Sequence, residues 1–252
     1  MQRSPGRKYT AFTLIELLVV IAIIALLVSI LLPFLAKAKA SAVKIRCEAN
    51  HRQIMTAVGL YANGSKDFLP WPNWAGIAVT GWLYTSPEPS LGKGWTPELR
   101  ETGALWQYLG HADVYRCPAH KEPFNRSAKI TSYLMNGAVC GFGRRDKARS
   151  SFRVDMMMPN SFIFWETAIE GTGNTGWNDG SSFPTEGLNN RHDWNRDNSS
   201  ASQANQSIVA GRGNTISCVD GHVEWVTQSQ YNEQLKKKPG RLWCAPDSKT
   251  GE

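Results

Sequence analysis

The sequence carries little net charge for its length. Its formal charge is +7 over 252 residues, and three of the positive charges, Arg3, Arg7 and Lys8, fall among the first eleven residues. The rest of the chain is left with +4, a mild excess that is not typical of a nucleic-acid-binding surface.

The sequence also lacks the usual signatures of catalytic centres. It has no HExxH pair and no Ser or Cys in a nucleophile-elbow setting. Cys117-Pro118 has no second Cys at zinc-knuckle spacing, so a zinc site is not expected. We therefore expect that the protein is not an enzyme. The side chains that remain as candidates for chemistry are Glu166, His192, Asp193, Asp220, His222 and Glu224.

Charge is absent from the whole segment between Leu17 and Ala36. A helix of roughly twenty residues spans the ~30 Å hydrocarbon core of a bilayer, so this segment predicts a transmembrane helix. Just before it stands Ala11-Phe12-Thr13-Leu14-Ile15-Glu16. The carboxylate of Glu16 lies at the edge of this apolar segment, where a charge is energetically unfavourable and therefore indicates a functional role.

This arrangement resembles the processing site of type IV prepilins and type II secretion pseudopilins. It combines a basic leader, a small residue, Phe, a Glu four residues after the Phe and a long apolar run. The resemblance implies that prepilin peptidase cuts between Ala11 and Phe12 and methylates the new amine. It also implies that other pilin or pseudopilin subunits are partners in a helical filament, and that Glu16 and Phe12 act in its assembly. The sequence has Ala11 where the family usually has Gly.

Two other interpretations of the N-terminus stay open. Ala36-Lys37-Ala38 and Ala40-Ser41-Ala42 have the small-x-small form of a signal-peptidase site, although the apolar run is longer than the ~7–15 residues of a signal peptide. A plain single-pass anchor is the second. Lys37, Lys39 and further basic residues follow the apolar run, so charge alone leaves the orientation open. The resemblance implies an inner-membrane protein with its globular domain extracytoplasmic.

The predicted fold is α+β and pilin-like: a long N-terminal helix packed on a small antiparallel sheet with Trp-, Pro- and Gly-rich loops. We divide the chain into a leader (1–11), a transmembrane helix (12–36), its amphipathic continuation (37–63) and a globular domain (64–252). Pro33 should kink or locally melt the helix. The continuation carries an apolar stripe formed by Val43, Cys47, Ile54, Val58 and Tyr61.

In the globular domain we predict a short helix over Glu98–Leu109 and strands over Val114–Pro118, Thr131–Asn136 and Ser161–Trp165. Asp220-Gly221 separates two alternating runs and predicts a hairpin with a two-residue turn. That turn would place Cys218 opposite Val223, with Ser217 facing outward.

The C-terminal part of the chain resembles a signature of large-domain pseudopilins in which a His precedes Asp-Gly. The matching residues are Arg191-His192, Gly213-Asn214 and Asp220-Gly221-His222. Here 27 residues separate His192 from Asp220, so the fit needs an insertion. Cys117-Pro118 and Trp165-Glu166-Thr167 are similar to inner landmarks of the same family. The resemblance also implies a disulfide between Cys47 and Cys117. Since the chain has five cysteines, at least one is unpaired within it.

Two further features could bind ligands. Asp193, Asn195 and Asp197 copy the first oxygen ligands of a calcium loop, but Asn198 and Ala204 stand where the turn Gly and the bidentate Glu belong. A solvated polar loop is the simpler interpretation. Ten tryptophans are present, and those in loop-like sequence either bind a saccharide or pin the loops to the core. They are Trp71, Trp74, Trp95, Trp177 and Trp194.

Together these features indicate a structural, pilin-like subunit without a required cofactor. The alternative is a membrane-anchored module that binds an extracellular polymer.

The first residue of the mature protein separates the three interpretations of the N-terminus. We expect N-terminal sequencing of protein taken from the membrane to begin at Phe12. A start at Lys39 or Val43 would instead identify a signal peptide, and an intact Met1 would identify a plain anchor.

Overall fold

The computed structural model describes residues 13–74, 79–85, 95–121, 126–144, 150–167, 179–189, 191–192 and 213–252. The chain divides into two compact units, Met1–Ala42 and Val43–Glu252.

The first element is the helix α1, Leu14–Gly64. It begins two residues later than predicted and ends at the predicted Asn63-Gly64 stop. The helix runs without interruption through Pro33, so the local melting considered there does not occur. A proline inside a helix removes one hydrogen bond and crowds the carbonyl of the preceding turn, but the hydrogen bonds of the turns on either side can still form.

In the first unit the apolar side chains of α1 are uncovered. Every large apolar side chain from Leu14 to Leu35 is exposed, with exposed fractions between 44% at Val28 and 79% at Leu14. Such a surface is unfavourable in water. It therefore suits a bilayer or the apolar faces of other helices.

In the second unit α1 becomes amphipathic, as predicted. The predicted stripe residues Cys47, Ile54 and Val58 are buried, and Tyr61 packs against the same core. The stripe also contains two polar residues, Asn50 and His51, which are 5% and 0% exposed. These two residues make the contact between helix and sheet partly polar.

Within the described residues the sheet has five strands, in the order β3-β1-β2-β4-β5. They are β1 (Leu134–Asn136), β2 (Phe162–Trp165), β3 (Ser181–Ser182), β4 (Gly213–Cys218) and β5 (Val223–Thr227). All pairs are antiparallel except β1 with β3, which is parallel. The α+β, pilin-like fold is therefore confirmed, but the sheet is mixed and not purely antiparallel.

Two apolar clusters bury the sheet. One joins α1 to residues of β1 and β2, including Met135 and Phe164. The other joins β4 and β5 to the short helix α3 (Gln228–Leu235) and the C-terminal segment, through Ile216, Tyr231 and Trp243. Both β2 and β4 are buried along their whole length. The residues of β2 are all apolar, whereas β4 also buries the polar residues Asn214, Thr215 and Ser217.

The hairpin β4–β5 is present, but its predicted register is wrong by one residue. Ser217 pairs with Val223 and Ile216 with Glu224. The turn contains three residues, because the amides of Cys218 and Gly221 donate to His222 and Cys218 respectively. Three-residue hairpins place a left-handed residue last, and Gly221 has φ of 88°.

A shift of one residue changes which side chains of β5 lie beside those of β4. Ser217 was predicted to face outward, but β4 is buried on both of its faces. The Ser217 side chain is 0% exposed and lies against α1, where the Nδ1 of His51 is 2.5 Å from its Oγ. Ile216 and Cys218 belong to the cluster on the other face.

Other predicted elements are shorter or absent. The predicted strand Val114–Pro118 is wrong: Ala112–Tyr115 form a 3₁₀ turn, and the amide of Cys117 donates to the Ser132 hydroxyl and not to a neighbouring strand. The predicted helix Glu98–Leu109 divides into a 3₁₀ turn, Pro97–Thr102, and α2, Trp106–Leu109.

Two glycines provide a matched test of the hairpin turn. A Cβ added at Gly221 or at Gly59 of α1 meets no atom within 4 Å, but only Gly221 has a positive φ. We expect Gly221→Ala to lower the free energy of unfolding by roughly 1 kcal/mol through backbone strain. Gly59→Ala should raise it by about 0.5–1 kcal/mol.

Denaturant unfolding of the full chain in detergent measures both changes. Equal effects of the two substitutions would contradict the turn geometry.

Candidate functional site

Of the three residues predicted to act in processing or filament assembly, Ala11, Phe12 and Glu16, the structure describes Glu16, at the N-terminal end of α1. Its Oε2 accepts hydrogen bonds from the amide of Thr13 at 2.9 Å and from the Thr13 hydroxyl at 2.8 Å. The amide of Glu16 lies 3.3 Å from the same hydroxyl. This reciprocal pattern is a capping box, which satisfies free amides at the start of a helix.

The sequence already contains this signal as Thr13-x-x-Glu16, although the prediction for Glu16 considered only its charge. Glu16 thus has a role within its own helix. Ala11 and Phe12, the other predicted processing and assembly residues, lie outside the described residues. Their cleavage stays a prediction.

The second unit contains a buried ionic cluster centred on Glu166, which follows β2. Oε2 of Glu166 is 2.5 Å from Nη1 of Arg191, and Oε1 is 3.2 Å from Nε2 of His192. The side chains of all three residues are at most 1% exposed. Such a group is stabilising only while every charge keeps its partner.

Two cysteine sulfurs complete the cluster. The Sγ of Cys47, on α1, is 3.4 Å from Oε1 of Glu166, and the Sγ of Cys117 is 3.4 Å from Nε2 of His192. One ligand-type atom from each of Cys47, Cys117, Glu166 and His192 lies within 4.8 Å of every other. We refer to these four residues as the thiol cluster.

Each charge in the cluster shifts the pKa values of its neighbours. Burial would raise the pKa of Glu166, but the contacts with His192 and Arg191 outweigh burial and hold it well below its usual range. Burial would lower the pKa of His192, while Cys117 and Glu166 together raise it to about 10. The cluster therefore favours an ionised carboxylate.

The two thiols differ in their surroundings. Burial, the contact with Cys117 and the charge of Glu166 raise the pKa of Cys47. Burial would also raise the pKa of Cys117, but its contacts with Cys47 and His192 outweigh burial and lower it. Cys117 is therefore the sulfur that loses its proton more readily.

A shell of polar side chains surrounds the thiol cluster. The Tyr133 hydroxyl is 3.4 Å from the Sγ of Cys47 and accepts from Nδ2 of Asn50 at 3.2 Å. Nδ2 of Asn50 also donates to the carbonyl of Arg116 at 2.9 Å. The ring of His51 packs edge-on against Tyr133. These contacts join α1 to the segment that carries Cys117.

The predicted Cys47–Cys117 pairing brings together two residues that are neighbours in the structure. The structure holds all five cysteines as thiols, so this disulfide is not formed in it and stays a prediction. Sequence reasoning identified Glu166 and His192 only as loose candidates. Their convergence with Cys47 depends on contacts across 119 and 26 residues of chain, which no local spacing reveals.

The remaining candidates lie elsewhere. On the exposed hairpin turn, Nδ1 of His222 is 2.5 Å from Asp220 and Nε2 is 3.7 Å from Glu224. Glu224 also contacts Arg241. These are partly exposed surface ion pairs, which contribute little to stability. Asp193, Asn195 and Asp197, the candidate calcium ligands, lie outside the described residues.

The loop tryptophans that the structure describes are mostly buried. Trp71 and Trp95 are each 5% exposed, and Trp74 packs against Phe142 and Phe183. This supports the interpretation that they pin irregular loops to the core. Trp177 and Trp194 lie outside the described residues.

Similarity to known proteins is confined to the N-terminus. Residues 6–32 match the family model of the prokaryotic N-terminal methylation motif. The match supports a pilin-like precursor. It covers the second half of the leader and most of the apolar half of α1, and it does not extend to the thiol cluster. No curated protein and no solved structure matches the chain.

The helix Leu14–Gly64 is long and apolar enough to cross a membrane. Together with the methylation motif, this fits a chain anchored by its N-terminal helix.

Buried His51 predicts a pH dependence of stability. Burial is the main reason that the pKa of His51 falls to about 4. In the unfolded chain this residue becomes protonated near pH 6.5. The free energy of unfolding therefore falls by up to about 3 kcal/mol as the pH falls from 6.5 to 4. We expect His51→Gln to flatten this part of the stability curve. His120, whose pKa burial lowers to about 2, acts in the same direction and is left unchanged.

Chemical unfolding at a series of pH values measures the effect, with exposed His111→Gln as the matched control. A His51→Gln chain with the same acid sensitivity as the control would contradict the assignment.

Proposed function

We propose that this chain is a pilin-like or pseudopilin structural subunit, cleaved after Ala11 and assembled from the inner membrane into a type II secretion or type IV pilus-like filament. The observation that carries the proposal is the methylation motif at residues 6–32, which leads directly into an apolar helix that the described chain leaves uncovered.

The uncovered half of α1 supports assembly. Its apolar side chains are exposed around the whole circumference of the helix. A bilayer covers such a helix while the subunit waits, and a bundle of identical helices covers it equally well in a filament. One surface thus serves both states.

In this proposal Glu16 sets the axial position of each subunit relative to its neighbour in the filament. Within a bundle of apolar helices, a carboxylate needs a cationic partner or its burial is strongly unfavourable. Cleavage after Ala11 creates an α-amine at Phe12, and a neighbouring subunit presents its Glu16 at a matching depth. The capping box holds the carboxylate at the end of the helix, where it can meet that amine.

The globular domain has a supporting role in the proposal, and we propose no catalysis. Glu166 and His192 are buried and paired with each other and with Arg191. The exposed hairpin residues Asp220 and His222 pair with each other. The buried loop tryptophans give no support to the alternative of a polymer-binding surface. The domain then lies outside the cytoplasm, and prepilin peptidase and other subunits are the partners.

Two substitutions separate the charge of Glu16 from its capping role. Glu16→Gln keeps the capping-box geometry but removes the charge, because Gln at this position accepts the same hydrogen bonds. Thr13→Val removes the hydroxyl of the cap and keeps the charge. We expect Glu16→Gln and Glu16→Val to insert and be cleaved normally yet to be absent from filaments, while Thr13→Val is incorporated.

Immunoblots of membrane and sheared filament fractions measure insertion, cleavage and incorporation. Normal incorporation of Glu16→Gln would reject the charge-pairing role. Loss of incorporation in Thr13→Val alone would assign Glu16 to helix capping.

A further inference from the structure

The thiol cluster brings together two sulfurs, an imidazole nitrogen and a carboxylate oxygen from four separate parts of the domain. We propose that Cys47, Cys117, His192 and Glu166 form a structural site for a tetrahedral divalent transition metal, with Zn²⁺ as the expected ion. Zinc was not expected from the sequence because Cys117 has no second cysteine close to it along the chain. The structure supplies the second cysteine from α1.

The spacing of the ligand atoms fits such an ion. Zinc bonds of about 2.3 Å to sulfur and 2.0–2.2 Å to nitrogen and oxygen place tetrahedral ligand atoms about 3.3–3.8 Å apart, with the two sulfurs at the upper end of that range. The Cys47–Glu166 and Cys117–His192 contacts are both 3.4 Å, and the His192–Glu166 contact is 3.2 Å. These three separations match a tetrahedral site, and every other pair of ligand atoms in the thiol cluster lies within 4.8 Å.

The chemistry of the ligands also selects the metal. Thiolate and imidazole ligands favour zinc and its neighbours over calcium or magnesium, which prefer oxygen. Two thiolates and a carboxylate around a divalent ion leave one negative charge. The Arg191 guanidinium, 2.5 Å from the other carboxylate oxygen, balances it inside the protein.

Arg191 has a second effect. By binding Oε2 of Glu166, it leaves Oε1 directed at Cys47 and His192. Groups of this kind orient the ligands of metal sites. With four protein ligands the coordination of the ion is complete, which is typical of structural zinc and not of catalytic zinc.

The same two sulfurs cannot both bind a metal and form the predicted disulfide. Either bond would fasten α1 to the segment that carries Cys117. The metal also explains why a carboxylate and a histidine lie beside the sulfurs, whereas a disulfide requires neither. The inference concerns the domain alone and holds whether or not filaments form.

The experiment uses the full chain, purified in detergent without a histidine tag or chelator. We expect elemental analysis to find about one zinc ion per chain. After removal of the metal by a chelator under reducing conditions, added Co²⁺ should produce thiolate-to-cobalt charge-transfer bands and the visible bands of tetrahedral cobalt. Removal of the metal should also lower the melting temperature.

Cys117→Ser should lose the bound metal, while Cys140→Ser should keep it. Cys140 is a matched control because it is also buried and lies outside the cluster. If Cys117→Ser does not fold, the cobalt spectrum of the unmodified chain decides the question.

Three results would overturn the proposal. One is a reduced, metal-free chain that takes up no Co²⁺. Another is a Cys47–Cys117 disulfide in peptide maps of unreduced protein from the membrane. The third is equal loss of metal from Cys140→Ser and Cys117→Ser.

Discussion

The contact between α1 and the sheet depends on one buried carboxylate. Glu166 has no access to solvent, and its two oxygens are satisfied only because Arg191 and His192 reach it from one side and Cys47 from the helix. Removing one partner from such a group leaves an uncompensated buried charge, which costs about 3–5 kcal/mol. The apolar cluster around Glu166 holds α1 against the sheet, while the contacts of the ionic group fix the position of the helix.

The two units use α1 differently. From Leu17 to Ala36 the helix is apolar on all sides, and its side chains are exposed and form no core of their own. From Val43 it carries a stripe that includes Asn50 and His51, which hydrogen-bond to particular atoms of the domain. Apolar contacts tolerate sliding, whereas directed hydrogen bonds do not. The specificity of the domain therefore lies in its polar contacts, whereas the exposed apolar side chains of the other half fit membrane anchoring.

Local patterns predicted the elements that depend on local physics. The apolar run, the stripe on α1, the strand Ser161–Trp165 and the Asp-Gly turn were all readable from spacing and residue type. The hairpin register was not predictable in this way, because Asp-Gly occurs in both two- and three-residue turns. The two turns differ in whether Val219, the residue before Asp220, belongs to the turn. That ambiguity changed which residues of β5 pair with Ile216 and Ser217, whereas Ser217 is buried because α1 covers the second face of β4.

The thiol cluster was beyond sequence reasoning for a different reason. Its members come from α1, a loop, the end of β2 and residues 191–192, and no periodicity connects them. The same distribution has a consequence for biosynthesis. Glu166 gains its partners only once residue 192 has been made, so an earlier closure of α1 over the first strands would bury an unpaired carboxylate. The charge of Glu166 therefore disfavours closure of α1 over the domain until Arg191 and His192 are available to pair with it.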